Sequence, residues 1–138
     1  MAKQTPVTPP PASLMVGPNQ AVFAHLHGKS AHSDTVQAFW TAIKDLPGVE
    51  VYCSDPNNFG YVVACSNELV FAYAEGMQGV ALRLPEKRLR PLVAEGAESR
   101  ESIAPEWVFL KLFGTGAFEK RLAGLAREAY NHAALPSN

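Results

Sequence analysis

Between Gly60 and Leu84 three apolar runs are separated by two turn signals, an order that few folds accommodate except as strands folding back on one another. Tyr61-Val62-Val63-Ala64-Cys65 is dense in β-branched and aromatic residues. Ser66-Asn67 offers a two-residue turn, and Leu69-Val70-Phe71-Ala72-Tyr73-Ala74 follows directly, which is the pattern of a β-hairpin. Glu75-Gly76-Met77-Gln78-Gly79 then supplies two glycines able to take positive φ, and Val80-Ala81-Leu82-Arg83-Leu84 alternates large apolar residues with a small one and a charge. The middle of the chain is therefore predicted to be an antiparallel meander, and a meander with an apolar face needs something to pack on it.

Two amphipathic segments supply that layer. Ser33 and Asp34 offer an N-cap, and Val36, Phe39, Trp40, Ile43 and Leu46 recur at the spacing of one helical face before Pro47-Gly48 stops the helix. Near the other end, Phe118, Leu122, Leu125, Ala126 and Ala129 form one stripe of a helix from about Ala117 to Ala133. Val49 to Cys53 reads as extended, Ser54 to Asn58 as a loop, and Glu106 to Leu112 as a further strand followed by a turn at Gly114-Thr115-Gly116. Pro85 to Glu95 has helical spacing, but Pro91 stands where an established helix needs its amide, so either a turn precedes a helix begun near Pro91 or the helix is kinked. Gly96 to Ala104 reads as loop. Helices that must bury their stripes against an antiparallel sheet make an α+β two-layer sandwich, with the N- and C-terminal helices on one face.

At 138 residues and 47% apolar, the chain can build one genuine core, and a net charge of -1 names no partner. Residues 1–20 read as a proline-rich flexible tail, 21–32 as an arm left unassigned between strand and ordered coil, and 33–134 as the single folded domain. No apolar run reaches secretory or membrane-spanning length, so a cytoplasmic protein with no membrane partner is expected. Cys53 and Cys65 have neither zinc-site nor redox-pair spacing and read as ordinary reduced thiols.

The order of Asp45-Leu46-Pro47-Gly48-Val49-Glu50 after a helix, the Phe71 strand, Val80-Ala81-Leu82-Arg83-Leu84-Pro85-Glu86, Trp107-Val108, and a terminal helix carrying Ala129-Tyr130 resembles the YjbR/MmcQ family over roughly Ser33 to Ala133. The related TfoX N-terminal domain looks similar over the middle of the chain. The resemblance implies a frataxin-like sandwich and the DNA-binding label that members commonly carry. It implies no catalytic residues and no cofactor. The proline-rich arm with histidines ahead of the first helix departs from the family pattern.

Strand alternation carries the functional expectation. If Leu82, Val108, Leu110 and Leu112 face the helices, then Arg83, Trp107, Phe109 and Lys111 face the opposite way, toward solvent. Two aromatics and two cations on an open sheet face, with Lys87, Arg88 and Arg90 following, would stack bases and hold phosphates. Two alternatives stand beside this: the N-terminal arm covers Trp107 and Phe109, or those aromatics form a homodimer interface. The acids Glu86, Glu95, Glu98, Glu101 and Glu106 dilute the basic run.

His25 and His27 would share a strand face, with His32 and Asp34 close by, so a divalent metal would have three imidazoles and a carboxylate; a solvated arm explains the same residues, and no metal is assigned. An iron-chaperone role is disfavoured because the first helix offers only Asp34 and Asp45 as acids. Gly76-Met77-Gln78-Gly79 matches the GxxG of another nucleic-acid fold but links strands here. Gly114-Thr115-Gly116 lacks the third glycine of a dinucleotide fingerprint, Glu119 standing in its place. With no nucleophile elbow, phosphate loop or HExxH, the expectation is a non-enzymatic module that binds nucleic acid, a protein partner or a second copy of itself.

Overall fold

The loop that reverses the chain in the first hairpin is Asn67-Glu68, both residues lying in the left-handed region at φ 53° and 66°. That geometry belongs to the primed turns, whose twist matches the strands they join. The turn therefore falls one residue later than Ser66-Asn67, because Ser66 pairs with Leu69 as the last rung of the ladder. Asparagine accepts this backbone readily and glutamate does not. Glu68 is held there by a hydrogen bond from Asn19 Nδ2 to its carbonyl, 2.8 Å long. Replacing Glu68 with glycine is expected to raise the unfolding free energy by about 1 kcal/mol. Urea denaturation measures it, and an unchanged midpoint would show that the turn stores no strain.

The computed structural model describes residues 8–55, 60–77, 79–100, 103–112 and 118–133. One antiparallel sheet runs through them, made of β1 (Glu50–Cys53), β2 (Val62–Ser66), β3 (Leu69–Glu75), β4 (Gly79–Arg83), β5 (Glu98–Ser99) and β6 (Trp107–Lys111). Its spatial order is β1-β2-β3-β4-β6-β5. The short β5 lies within the segment expected to be loop and pairs with Val108 and Phe109.

Among the described residues four α-helices accompany the sheet: α1 (Gln20–Leu26), α2 (Ser33–Ile43), α3 (Glu86–Ala94) and α4 (Leu122–Ala133). Helix α2 buries Thr35, Phe39 and Ile43 and is capped by His32, whose Nδ1 accepts from the Asp34 amide at 3.1 Å. The cap is thus the residue before the expected Ser33 or Asp34. Past its end, Gly48 takes φ +73°, a conformation that costs glycine little. Helix α3 runs continuously through Pro91 and buries Leu89 and Leu92. It lies antiparallel to α4, for Arg88 near its start makes a two-pronged ion pair with Glu128 at 2.7 and 3.2 Å, while Glu95 past its end pairs with Arg121 at the start of α4. A 3-10 turn, Glu119–Arg121, leads into α4, and the stripe Phe118, Leu122, Leu125, Ala126 and Ala129 is buried as its spacing requires. Gly114-Thr115-Gly116 lies outside the described residues.

The main core lies between the sheet and helices α2, α3 and α4, where Phe39, Ile43, Phe71, Leu82, Leu92, Val108, Leu110, Leu112 and Leu125 form one cluster. The fold is the expected α+β sandwich with the first long helix and the last one on the same face. The opposite face is not open but covered, as in the alternative in which the N-terminal arm lies over Trp107 and Phe109. The chain forms 3-10 turns at Ala12–Leu14 and Gly17–Asn19 and then α1, so the segment expected to be a flexible tail and an unassigned arm is folded from residue 12 onward. Leu14, Val22, Phe23 and Leu26 are buried in a second cluster with Tyr61, Val63, Cys65, Tyr73, Ala81, Ile103, Trp107 and Phe109. The physical reason is simple: a sheet whose two faces are both apolar must bury both, and Leu14, Val22, Phe23 and Leu26 bring the apolar side chains that do so here.

Candidate functional site

The alternation of β4 and β6 is as expected, since Leu82, Val108, Leu110 and Leu112 lie in the helix-side cluster and Trp107 and Phe109 in the other. What fails is the exposure. Trp107 is 2% exposed and Phe109 9%, so neither is available for base stacking or for a partner. Trp107 packs on Tyr73 with ring centroids 5.4 Å apart, and the Arg100 guanidinium sits 4.2 Å over the Phe109 ring. Of the expected surface, Arg83 and Lys111 remain at the rim. Arg83 pairs with Glu106 at 2.8 Å and Lys111 with Glu98 at 3.2 Å, so each cation is already opposed by a carboxylate. Arg88 is engaged with Glu128. Lys87 and Arg90 are exposed on α3 with no ion pair among the described residues.

The three N-terminal histidines go to different places. His25 lies on α1 and its Nε2 is 2.6 Å from Glu75 Oε1; His27 is exposed just past the helix; His32 caps α2. Among the described residues no three His, Cys, Asp or Glu side chains come together in a way that could hold a metal ion. The same residues contain no helix long and apolar enough to cross a membrane. Both cysteines are free and buried, and burial, with Glu50 and Glu68 nearby, pushes the Cys65 thiol up to about 11.

Tertiary folding assembles two features from segments far apart in the chain. One is a polar cluster under α1. Glu75, at the end of β3, faces His25 from α1 and Arg100 from the segment after β5, whose Nη2 is 3.9 Å away, and Tyr73 lies beside them with its ring 5.8 Å from that of His25. Burial pushes the Tyr73 hydroxyl strongly upward, so it stays protonated throughout the physiological range. On the far side of the sheet, His132 Nε2 lies 3.0 Å from the Glu106 carboxylate that also binds Arg83, which ties the last turn of α4 to the ends of β4 and β6.

The other feature is a trough between α2 and α4, about 550 Å³ in volume. Ala38 and Ala42 on α2 and Leu122 and Ala123 on α4 give it apolar walls, with small side chains that leave room between the helices. His32, Asp34, Gln37 and Thr41 supply polar groups, and Met77 of the β3–β4 turn closes one side. Met77 is 70% exposed, a large apolar side chain placed in water beside an apolar hollow. The turn that carries it is fixed by two backbone bonds, His32 N–H to Gly76 O at 2.9 Å and Gly76 N–H to Ser30 O at 2.6 Å. The chain has no match among protein-family models, curated proteins or solved structures.

Proposed function

We propose that the protein is a non-enzymatic interaction module of YjbR/MmcQ type that associates with a second copy of itself through the trough between α2 and α4. The observation that carries this reading is the position of Met77: an exposed apolar knob and an apolar hollow adjoin on one face. A two-fold interface needs each copy to present both halves of the contact, and this face does so. A methionine is suited to the knob, since its unbranched, polarizable side chain adapts to an irregular hollow. The order of helix, four-stranded run, helix, two strands and helix from Ser33 onward supports the family type.

The test is sedimentation velocity over a concentration series, with Met77→Glu as the disrupting variant. Wild type is expected to dimerise, and Met77→Glu is expected to weaken association about tenfold or more while leaving the urea midpoint unchanged at concentrations where both proteins are monomeric, since the side chain is exposed in the single chain. A wild type that stays monomeric at the highest concentrations reached overturns the reading.

A second reading rests on Lys87 and Arg90, exposed on the outer side of α3. It assigns nucleic-acid binding to that helix rather than to the sheet face, through phosphate contacts without base stacking. Anisotropy of labelled duplex and single-stranded oligonucleotides at about 50 and about 200 mM salt decides it. Binding that weakens steeply with salt and is lost in Lys87→Ala/Arg90→Ala supports this reading, and absence of binding at the lower salt removes it.

A further inference from the structure

The segment that closes the second sheet face is built differently from the rest of the fold. Two 3-10 turns and a helix of seven residues make it up. An isolated helix that short does not persist in water, so the segment keeps its shape only while docked. Its apolar anchors are Leu14, Val22, Phe23 and Leu26. Its polar anchors are few and identifiable. Asn19 donates from Nδ2 to the carbonyls of Leu14 and Glu68, both at 2.8 Å, and accepts from the Val70 amide at 2.9 Å; His25 pairs with Glu75. Asn19 stands at the N-cap of α1, yet its side chain makes no capping bond there, because it is spent on the hairpin.

The boundary with the remaining chain is sharp. His27, Gly28 and Lys29 are exposed, and Gly28 takes φ +78°. Directly beyond them the backbone is pinned to the sheet by bridges from Ser30 to Gly60 and from Ala31 to Gly76. Movement of α1 thus ends at a fixed point and need not disturb α2. Closing the segment also buries polar groups. Tyr73 Oη lies buried beside the Arg100 guanidinium and the Glu75 carboxylate, and Arg100 Nε is buried with no acceptor of its own among the described residues, so lifting the segment restores water to both.

We propose that residues 12–26 form a cover that opens as a unit about the 27–29 link, independently of the sheet and of helices α2 to α4, and uncovers the face carrying Tyr61, Tyr73 and Trp107. Local opening of such units, at free energies below that of global unfolding, is a general property of weakly anchored elements. The closed form then hides from the surroundings the aromatic face whose residue types suit stacking contacts.

The chain carries its own reporter. Cys65 lies in the cluster beneath the cover and is fully buried when the cover is shut. In the full-length protein with Cys53→Ala, reaction of Cys65 with 5,5′-dithiobis(2-nitrobenzoate) is followed across urea concentrations below the unfolding transition, alongside hydrogen exchange of the α4 amides. Labelling takes place in the open form, where the burial that raises the thiol pKa is relieved, so ratios between variants report the opening equilibrium. Cys65 is expected to react at least about tenfold faster than global unfolding allows and with weaker urea dependence. Asn19→Ala, which removes the bonds to the hairpin, is expected to accelerate the labelling a further tenfold or so while α4 exchange changes by less than about twofold. Labelling of the wild-type face at the global unfolding rate with the full urea dependence overturns the proposal. So does acceleration of Cys65 and α4 by the same factor in Asn19→Ala. Should that variant fail to fold, the urea dependence with Asn19 intact still decides between the two.

Discussion

Replacing Trp107 with alanine is expected to lower the unfolding free energy by about 3–5 kcal/mol, the range for truncating a buried aromatic side chain. Trp107 is among the largest fully buried side chains of the chain, packed on Tyr73 and opposite Arg83 on the neighbouring strand. Its removal takes away apolar burial and leaves a cavity that the surrounding strands, hydrogen-bonded on both sides, are poorly able to collapse. Urea denaturation reads the loss as a drop in midpoint without a change in slope. The same substitution on an open binding face would leave stability within about 0.5 kcal/mol and change only an affinity. A small effect would therefore restore the uncovered face that the strand alternation implied.

Gly79→Val is expected to destabilise the protein by about 3 kcal/mol, at the upper end of what overpacking costs. Gly79 opens β4 opposite Lys111 on β6, and a Cβ built on it would fall within the Phe109 ring. The need for glycine here is one of space, since Gly76 and not Gly79 takes the positive φ of the turn. Phe109 is held from its other surroundings by the Arg100 guanidinium over its ring, which limits how far it can retreat. The check is a double-mutant cycle with Phe109→Ala. If the clash is the cause, the two losses do not add, and the double variant is more stable than their sum by about 1 kcal/mol or more. Additive losses would place the cost in the β4 backbone instead.

These two residues also show where reading the chain alone stops. Period-two alternation places Trp107 and Phe109 on the face opposite the helices, and that is where they are. It carries no information on whether the face meets water, because burial depends on chain from elsewhere. The covering segment is inconspicuous: the prolines ahead of it and Pro18 within it argue for extended backbone, and its apolar residues form no long periodic stripe. A signal was present in Val22, Phe23 and Leu26, whose spacing is that of a short helical face, but seven residues give periodicity little weight. Met77 and the trough beside it were beyond reach for a different reason, since the hollow is formed by two helices separated in sequence by the whole sheet.

By itself the sequence determined the local structure and the pairing of layers: the meander between Gly60 and Leu84, the amphipathic stripes of α2 and α4, the terminal strand, and from these the α+β sandwich. All of these depend on neighbours within a few residues, where sterics and periodicity act directly. Only the tertiary structure decided that residues 12–26 close the second face, that Arg83 and Lys111 are opposed by Glu106 and Glu98, and that the helices leave a hollow beside Met77. Each of those is a contact between segments far apart in the chain, and exposure and charge pairing are settled by what comes to lie against a residue, which its own neighbours do not specify.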